Sequence, residues 1–445
     1  MSVSADELTP GLTRAVGRAG LSAPSGLTRL TGGATMESWR FSANGEDFVL
    51  RRAPSAGMMA ERPFGHDVEA AIIRAAHAAE VSAPEVITVL EPEDGIGSGF
   101  IMRALPGTPD PKQILAMDNP EQLLREAARD LAKIHALSPD GLPAQIPTLD
   151  IREGIADFRA QFEAAGGDRP IIALGIKWLE DNCLEPGDTV LNHGDYRLGN
   201  LLAEDSRLTG VLDWELAHFS DFHEDLAFGC MAVWRFARYD RPALGSGSLE
   251  DYFAAYEAES GRTVDPARFR FWTIYRTVWW ALGCLKQAQV WREGQDRMLE
   301  RVVISRRTSE QELDLLMLLE EDAPEEEKVR SVEVPRPFIA HGEANAGEMA
   351  TAISEWLATV KDRMQGHDLF QIAVARNALG IIARDYAFMP RHEDLALSDR
   401  IINGEVTLAT GGLLSELRTR ALEKLEVDIP RYPALEVAQQ NWLGE

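Results

Sequence analysis

The spacing of hydrophobic positions changes character several times along this chain, and each change marks an element. Residues 5–19 hold apolar side chains at helical spacing, and residues 26–30 then form a short strand-like run. Two further runs of strand type, 37–42 and 47–52, are joined by Asn44-Gly45, a pair that favours a two-residue hairpin turn. Residues 67–80 return to the spacing of an amphipathic helix, and runs at 86–90 and 100–104 complete a sheet-rich first third. After Leu105-Pro106-Gly107 the period becomes helical, over 120–137, 151–165 and 171–183. Short strands within 190–202 and 208–214 leave His, Asp and Asn exposed between them, and helices then run from 225 to about 319.

The acidic, proline-containing stretch 320–336 predicts a linker. Beyond it, residues 348–364, 369–388 and 413–427 predict helices of a separate unit, and no repeat of solenoid length is present. The expected organisation is a sheet-rich lobe (1–105), a mainly helical lobe (106–320), the acidic linker (321–336) and an all-helical C-terminal domain (337–445). A length of 445 residues suffices for two or three such cores.

Composition narrows the chemistry. A formal charge of -26 argues against binding a nucleic-acid backbone, which needs clustered Lys and Arg. It would suit a cationic substrate, but a solubilising surface is the stronger reading. Cys183, Cys230 and Cys284 are far apart with no CxxC spacing, so buried, reduced thiols are expected and structural zinc is not. The richest apolar stretch, 272–290, is interrupted by Arg276 and Lys286, and the N-terminus has no secretory pattern; a cytoplasmic protein that spans no membrane is expected.

The densest run of reactive side chains is His193-Gly194-Asp195-Tyr196-Arg197-Leu198-Gly199-Asn200. Phosphoryl transfer needs a carboxylate to orient the nucleophile's proton, oxygen ligands to hold magnesium on the phosphates, and a cation to steady the nucleotide. Asp195 and Asn200 are separated by four residues, the spacer of the protein-kinase catalytic loop, with Gly194 where that pattern has Arg. Downstream, Val211-Leu212-Asp213-Trp214-Glu215 offers Asp213 at the end of an apolar strand as a second metal ligand.

The ordered pair of segments HGDYRLGN and VLDWE resembles the aminoglycoside phosphotransferase and choline kinase-like family over roughly residues 25–315. The resemblance implies an α+β, protein-kinase-like two-lobed fold, with ATP and Mg2+ as cofactors. It also implies Asp195 as catalytic base, His193 as support of the catalytic loop, and Asn200 and Asp213 as metal ligands. Upstream, Gly32 and Gly33 lie in a turn between strand runs where backbone amides can approach phosphates. Arg51 stands where the family plan has a phosphate-contacting Lys, and Arg52, on the opposite face of the same strand, is the alternative candidate. Glu69 matches the helix Glu that pairs with that cation, and Met102, Ala104 and Leu105 occupy the hinge whose backbone receives adenine.

For the acceptor, Asp225 is expected to cap the helix that follows Asp213. Trp234, Trp272, Trp279, Trp280 and Trp291 are expected as core packing ahead of a cation-binding box. The Val49–Pro54 stretch resembles phosphotransferases associated with acyl-CoA dehydrogenases, and residues 376–385 resemble a helical domain of unknown function that accompanies them. The resemblance leans toward a small hydroxylated acyl compound or acyl-CoA over an aminoglycoside or amino alcohol. The missing Lys motivates a reading of another class, a nucleotide-binding pseudokinase or interaction scaffold. The C-terminal helices are expected as a surface for a protein partner or self-association, or as a stabilising appendage.

Overall fold

The computed structural model describes residues 4–30, 36–53, 59, 62–338 and 342–444, and divides into two compact units. The first gathers residues 1–150, 186–230 and 234–269. Its first third is an antiparallel sheet of β1 (Ser25–Arg29), β2 (Glu37–Ala43), β3 (Glu46–Arg52), β4 (Val86–Val89) and β5 (Gly99–Arg103), in the order β1-β2-β3-β5-β4. Asn44 and Gly45 turn the β2–β3 hairpin with φ of 52° and 81°. Two positive values in succession fit the twist of the flanking strands. Phe48 and Leu50 of β3 bury against Leu8, Leu12 and Val16 of helix Ala5–Arg18. Alternation sends Arg51 to the other face, toward helix His66–Ala78.

Four short strands follow in the same unit: β6 (Thr189–Asn192), β7 (Leu201–Glu204), β8 (Arg207–Val211) and β9 (His218–Asp221). β6 pairs with β9 and β7 with β8, so the loops between them lie close together. Beneath the loops, helices Pro120–Ile134 and Leu249–Ser260 pack on each other. Their Leu124, Leu131, Tyr252 and Tyr256 share one core with Tyr196, Leu198 and Trp214. Each such buried side chain contributes roughly 1.5–3 kcal/mol, which anchors the polar loops on a rigid floor.

The second unit gathers residues 151–185, 231–233 and 270–445. Helix Leu395–Ile402 lies on Pro170–Asp181, and Leu413–Asp428 on Thr308–Leu319. Gly175 permits a close approach, since a Cβ there would fall 2.6 Å from Leu315 Cδ2. A buried Arg169–Glu312 pair and a 2.5 Å bond from the Tyr432 hydroxyl to Asp314 add polar ties. The helices expected as a separate 337–445 domain are thus packed with 151–185 and 270–319 in one unit. Residues 320–336, expected as a linker, include helix Glu325–Lys328. Glu320 binds Arg418, and Glu327 accepts the Gly412 N–H. Among the described residues no helix is long and apolar enough to cross a membrane.

Candidate active site

Asp195 sits between β6 and β7 with a side chain 14% exposed. Burial pushes its carboxyl up to about 6, against the pull of Arg197 and Asn200. Arg197 grips it with both arms, Nε to Oδ1 at 2.7 Å and Nη2 to Oδ2 at 3.2 Å. The guanidinium also lies 4.2 Å from the ring centroid of Trp234. Asn200 Nδ2 donates to Asp195 Oδ2 at 2.6 Å and to its carbonyl at 3.0 Å. That orientation leaves Oδ1 as the amide atom suited to a cation.

His193 is fully buried, and its ring holds the loop rather than facing it. Its Nε2 lies 3.0 Å from the Leu212 carbonyl and its Nδ1 lies 3.2 Å from the Asp195 backbone N–H. Burial lowers its pKa, which keeps the ring neutral. One tautomer then satisfies both contacts, with Nε2 donating and Nδ1 accepting. The Leu212 N–H donates to the Asn200 carbonyl at 2.8 Å, so the segment ending in Asp213 is stitched to the catalytic loop. Asp213 itself has φ of 68°, an uncommon backbone for a non-glycine residue.

Arg51, from β3, reaches three carboxylates. Its Nε lies 3.2 Å from Glu69 Oε1, and its Nη2 contacts Asp213 and, at 2.5 Å, Glu215. Arg62 pairs with Glu215 as well. Burial pushes Glu69 up to about 7 despite the nearby Arg51. Desolvation opposes the charge on Asp213, but Arg51 holds its carboxyl below the ordinary value. Arg52 lies on the opposite face, buried, with Nη1 2.8 Å from Glu37. The two candidates for the missing Lys are therefore separated by geometry, and Arg51 occupies the cleft side beside Glu69.

Asp225 departs from expectation. The cap of helix Phe222–Phe228 is Asp221, which accepts the His223 N–H at 3.0 Å. Asp225 lies inside that helix, fully buried, and accepts the N–H groups of His193 at 2.5 Å and Gly194 at 2.9 Å. Although burial opposes it, bonds from His135 and from the loop backbone hold this carboxyl below its usual range. The loop that carries Asp195 is thus suspended from a buried charge.

The remaining expected positions are spread more widely. Gly32 and Gly33 lie outside the described residues. At the hinge, Met102 pairs in register with Val49, the Ala104 N–H donates to Asp47 at 2.9 Å, and Leu105 packs beside Gly210. Trp272 is fully buried against Phe271 and Tyr275, as expected of core packing. Trp234, Trp279 and Trp291 carry arginines of this chain on their faces. Arg62, Arg197, Glu215 and the anchoring role of Asp225 were not assigned from sequence. Glu215 had a signal, two residues beyond Asp213; Arg62 had none.

A magnesium ion suits the donors present. One amide oxygen and one carboxylate match a hard cation that completes its shell with phosphate and water. Among the described residues no group of three His, Cys, Asp or Glu could hold a metal by itself.

Sheet, helices and loop arrangement define a kinase-like fold. The solved structure of a putative aminoglycoside phosphotransferase from Ralstonia eutropha JMP134 matches it with a TM-score of 0.57 at 20% identity, over 70% of this chain and 97% of that one. The Phosphotransferase enzyme family is matched over residues 26–272, and the chain belongs to that family. Its class is that of small-molecule phosphotransferases acting on hydroxyl groups. A domain of unknown function is matched over residues 362–432. Mouse acyl-CoA dehydrogenase family member 10 is 27% identical over 259 residues, which is 52% of this chain and 24% of that protein. Probable acyl-CoA dehydrogenase IBR3 of Arabidopsis thaliana is 24% identical over 258 residues, 51% of this chain and 31% of that protein. The chain therefore matches less than a third of the length of either relative.

Proposed function

We propose that this phosphotransferase moves the γ-phosphoryl group of ATP to a hydroxyl of a small anionic acyl compound, with a hydroxyacyl-CoA as the leading candidate. The bond from the γ-phosphorus to the bridging oxygen breaks, a bond to the acceptor oxygen forms, and ADP leaves. Asp195 orients the acceptor hydroxyl and takes its proton. Asn200 and Asp213 would hold magnesium, which neutralises phosphate charge. Arg51, steadied by Glu69, would contact the phosphates in place of Lys.

The observation that supports this reading best is Asn200, bonded to Asp195 through its side chain and to the Asp213 segment through its carbonyl. For the acceptor, support comes from the segment beside Arg197. Trp234 stacks on Arg197, and Arg235 lies 5.3 Å from the Tyr239 ring centroid, while Arg238 and Arg241 beyond it are paired with Asp240 and Glu121. Arg235 and the aromatic rings of this segment suit an anion with an apolar arm better than an amino sugar. The names of the two longer relatives lean the same way.

Purified protein with ATP and magnesium should be incubated with hydroxy acids, their CoA esters, amino sugars and amino alcohols, and products read by phosphorus NMR. A phosphorylated CoA ester that disappears with Asp195→Asn is the expected result. Transfer to amino sugars or amino alcohols alone would replace the acyl reading with an antibiotic- or choline-type kinase. A pseudokinase is the second reading, favoured by the direct contact of Arg51 with Asp213. Magnesium-dependent ATP hydrolysis above an Asp213→Ala control would eliminate it.

A further inference from the structure

The helix Gly366–Phe388 carries Arg376, Asn377, Gly380, Ile381 and Arg384 along one side of a cavity of about 700 Å3 within the second unit. Positions 376, 380 and 384 recur every four residues, so they share a helix face over about 12 Å. Gly380 belongs to the geometry, since a Cβ there would lie 3.0 Å from Arg384 Nη1. Three more arginines reach the same cavity, Arg306, Arg307 and Arg431, against two carboxylates, Glu310 and Asp428.

The lining carries five arginines against two carboxylates, with Arg306 also paired to Asp385 outside it, in a chain whose formal charge is -26. The carboxylates are already engaged: Glu310 by Arg307, and Asp428 by Arg306 and Lys424. Among the described residues Arg376 and Arg384 bind only backbone carbonyls, Arg376 that of Ser354 at 3.1 Å and Arg384 those of Val427 at 2.7 Å and Asp428 at 3.5 Å. Among the described residues, no carboxylate lies within ion-pair distance of Arg376, Arg384 or Arg431. Arg384 is half-buried, and burial lowers its pKa although the more distant Asp428 and Glu426 oppose the shift. A solvated surface charge would not show that burial. Val303, Ile381, Ile429 and Pro430 supply an apolar wall to the same space.

We propose that this cavity is a binding site for a small molecule that joins a phosphate group to an apolar arm, separate from the catalytic cluster. The lining cations are all arginines, whose forked donors suit the several oxygens of a phosphate dianion better than the two of a carboxylate. The volume falls within the range of small-molecule sites, and the apolar wall gives the arm somewhere to lie.

The test uses the full chain and hexyl phosphate as probe, followed by calorimetry, with hexanol and hexanoate as comparisons. Hexyl phosphate should bind at least tenfold more tightly than either. Arg376→Gln/Arg384→Gln should weaken that binding about tenfold, while phosphoryl transfer at the catalytic site stays within twofold of the parent. Exposed Arg431→Gln carries no internal contact, so a several-fold loss there tests the site without the risk of misfolding. Equal binding of hexanoate, or unchanged affinity in both variants, overturns the assignment. Loss of hexyl phosphate binding in Asp213→Ala instead would place the probe in the catalytic cluster, which also overturns it.

Discussion

Asp225 touches neither nucleotide nor acceptor in the proposed reaction, yet the loop that carries Asp195 hangs from it. Its two oxygens accept the N–H groups of His193 and Gly194. Asparagine has the same shape but one accepting oxygen, and its amide group would face a backbone donor. Asp225→Asn should therefore lose about 2–4 kcal/mol of stability, as expected when a buried charged acceptor is removed. Its kcat should fall roughly a hundredfold or more, since small displacements of a catalytic group are costly. Thermal unfolding and steady-state kinetics check the two parts separately.

Asp221, the true cap, gives a pH signature. Burial opposes its charge, but His223 and Arg268 hold its carboxyl down at about 2. A depressed carboxylate contributes stability that is present above its unfolded value near 4 and lost as pH falls toward 2. Asp221→Asn should be less stable than the parent by about 2 kcal/mol at pH 7. The gap should close as pH falls from about 4 to 2, measured by urea unfolding at each pH. Residues of this kind separate what the sequence makes legible from what it does not. That Asp195 and Asn200 meet, with the Asp213 segment beside them, was legible because the residue types and their spacing stand in the sequence. The job of Asp225 was not, because its partners are backbone N–H groups that leave no trace in residue type.

Among the elements, β3 shows how alternation turns two adjacent arginines into different instruments. Arg51 faces Glu69 and Asp213; Arg52 faces Glu37 inside the sheet. Arg51→Ala should raise the KM for ATP at least tenfold and also lower the unfolding midpoint, because Glu69, Asp213 and Glu215 lose a shared buried partner. Arg52→Ala should leave that KM unchanged and cost about 2 kcal/mol, because Glu37 loses its buried partner and keeps only Arg29 at 3.6 Å and the Trp39 indole N–H. Nucleotide titrations paired with denaturation curves distinguish the two. The strands and most helices were legible from period alone, and the Asn44-Gly45 turn from residue type. Helices Leu395–Ile402 and Pro433–Leu443 were not, being short segments whose burial depends on distant partners.

Across the whole molecule, chain order and packing disagree. Residues 151–185 leave the sheet-bearing unit, and their helices are completed by residues 270–445. Composition marked a boundary at the acidic stretch 320–336, but contact partners far apart in sequence have no local signature, so this interleaving was invisible. Removing residues 337–445 should strip the cover from Pro170–Asp181 and Thr308–Leu319. The truncated chain should unfold at least 5 °C lower or aggregate, read by calorimetry and size-exclusion chromatography.

Helix Pro170–Asp181 buries Ile171, Ile172, Leu174, Ile176 and Leu179. One of its covers, helix Leu395–Ile402, ends 221 residues later in the chain, the distance from 181 to 402. At about 5–20 residues per second, a ribosome needs roughly 10 to 40 seconds to supply it. During that interval a strongly apolar surface stands open on the nascent chain. The same interleaving that ties the finished molecule together thus makes its synthesis dependent on cover lent by something else.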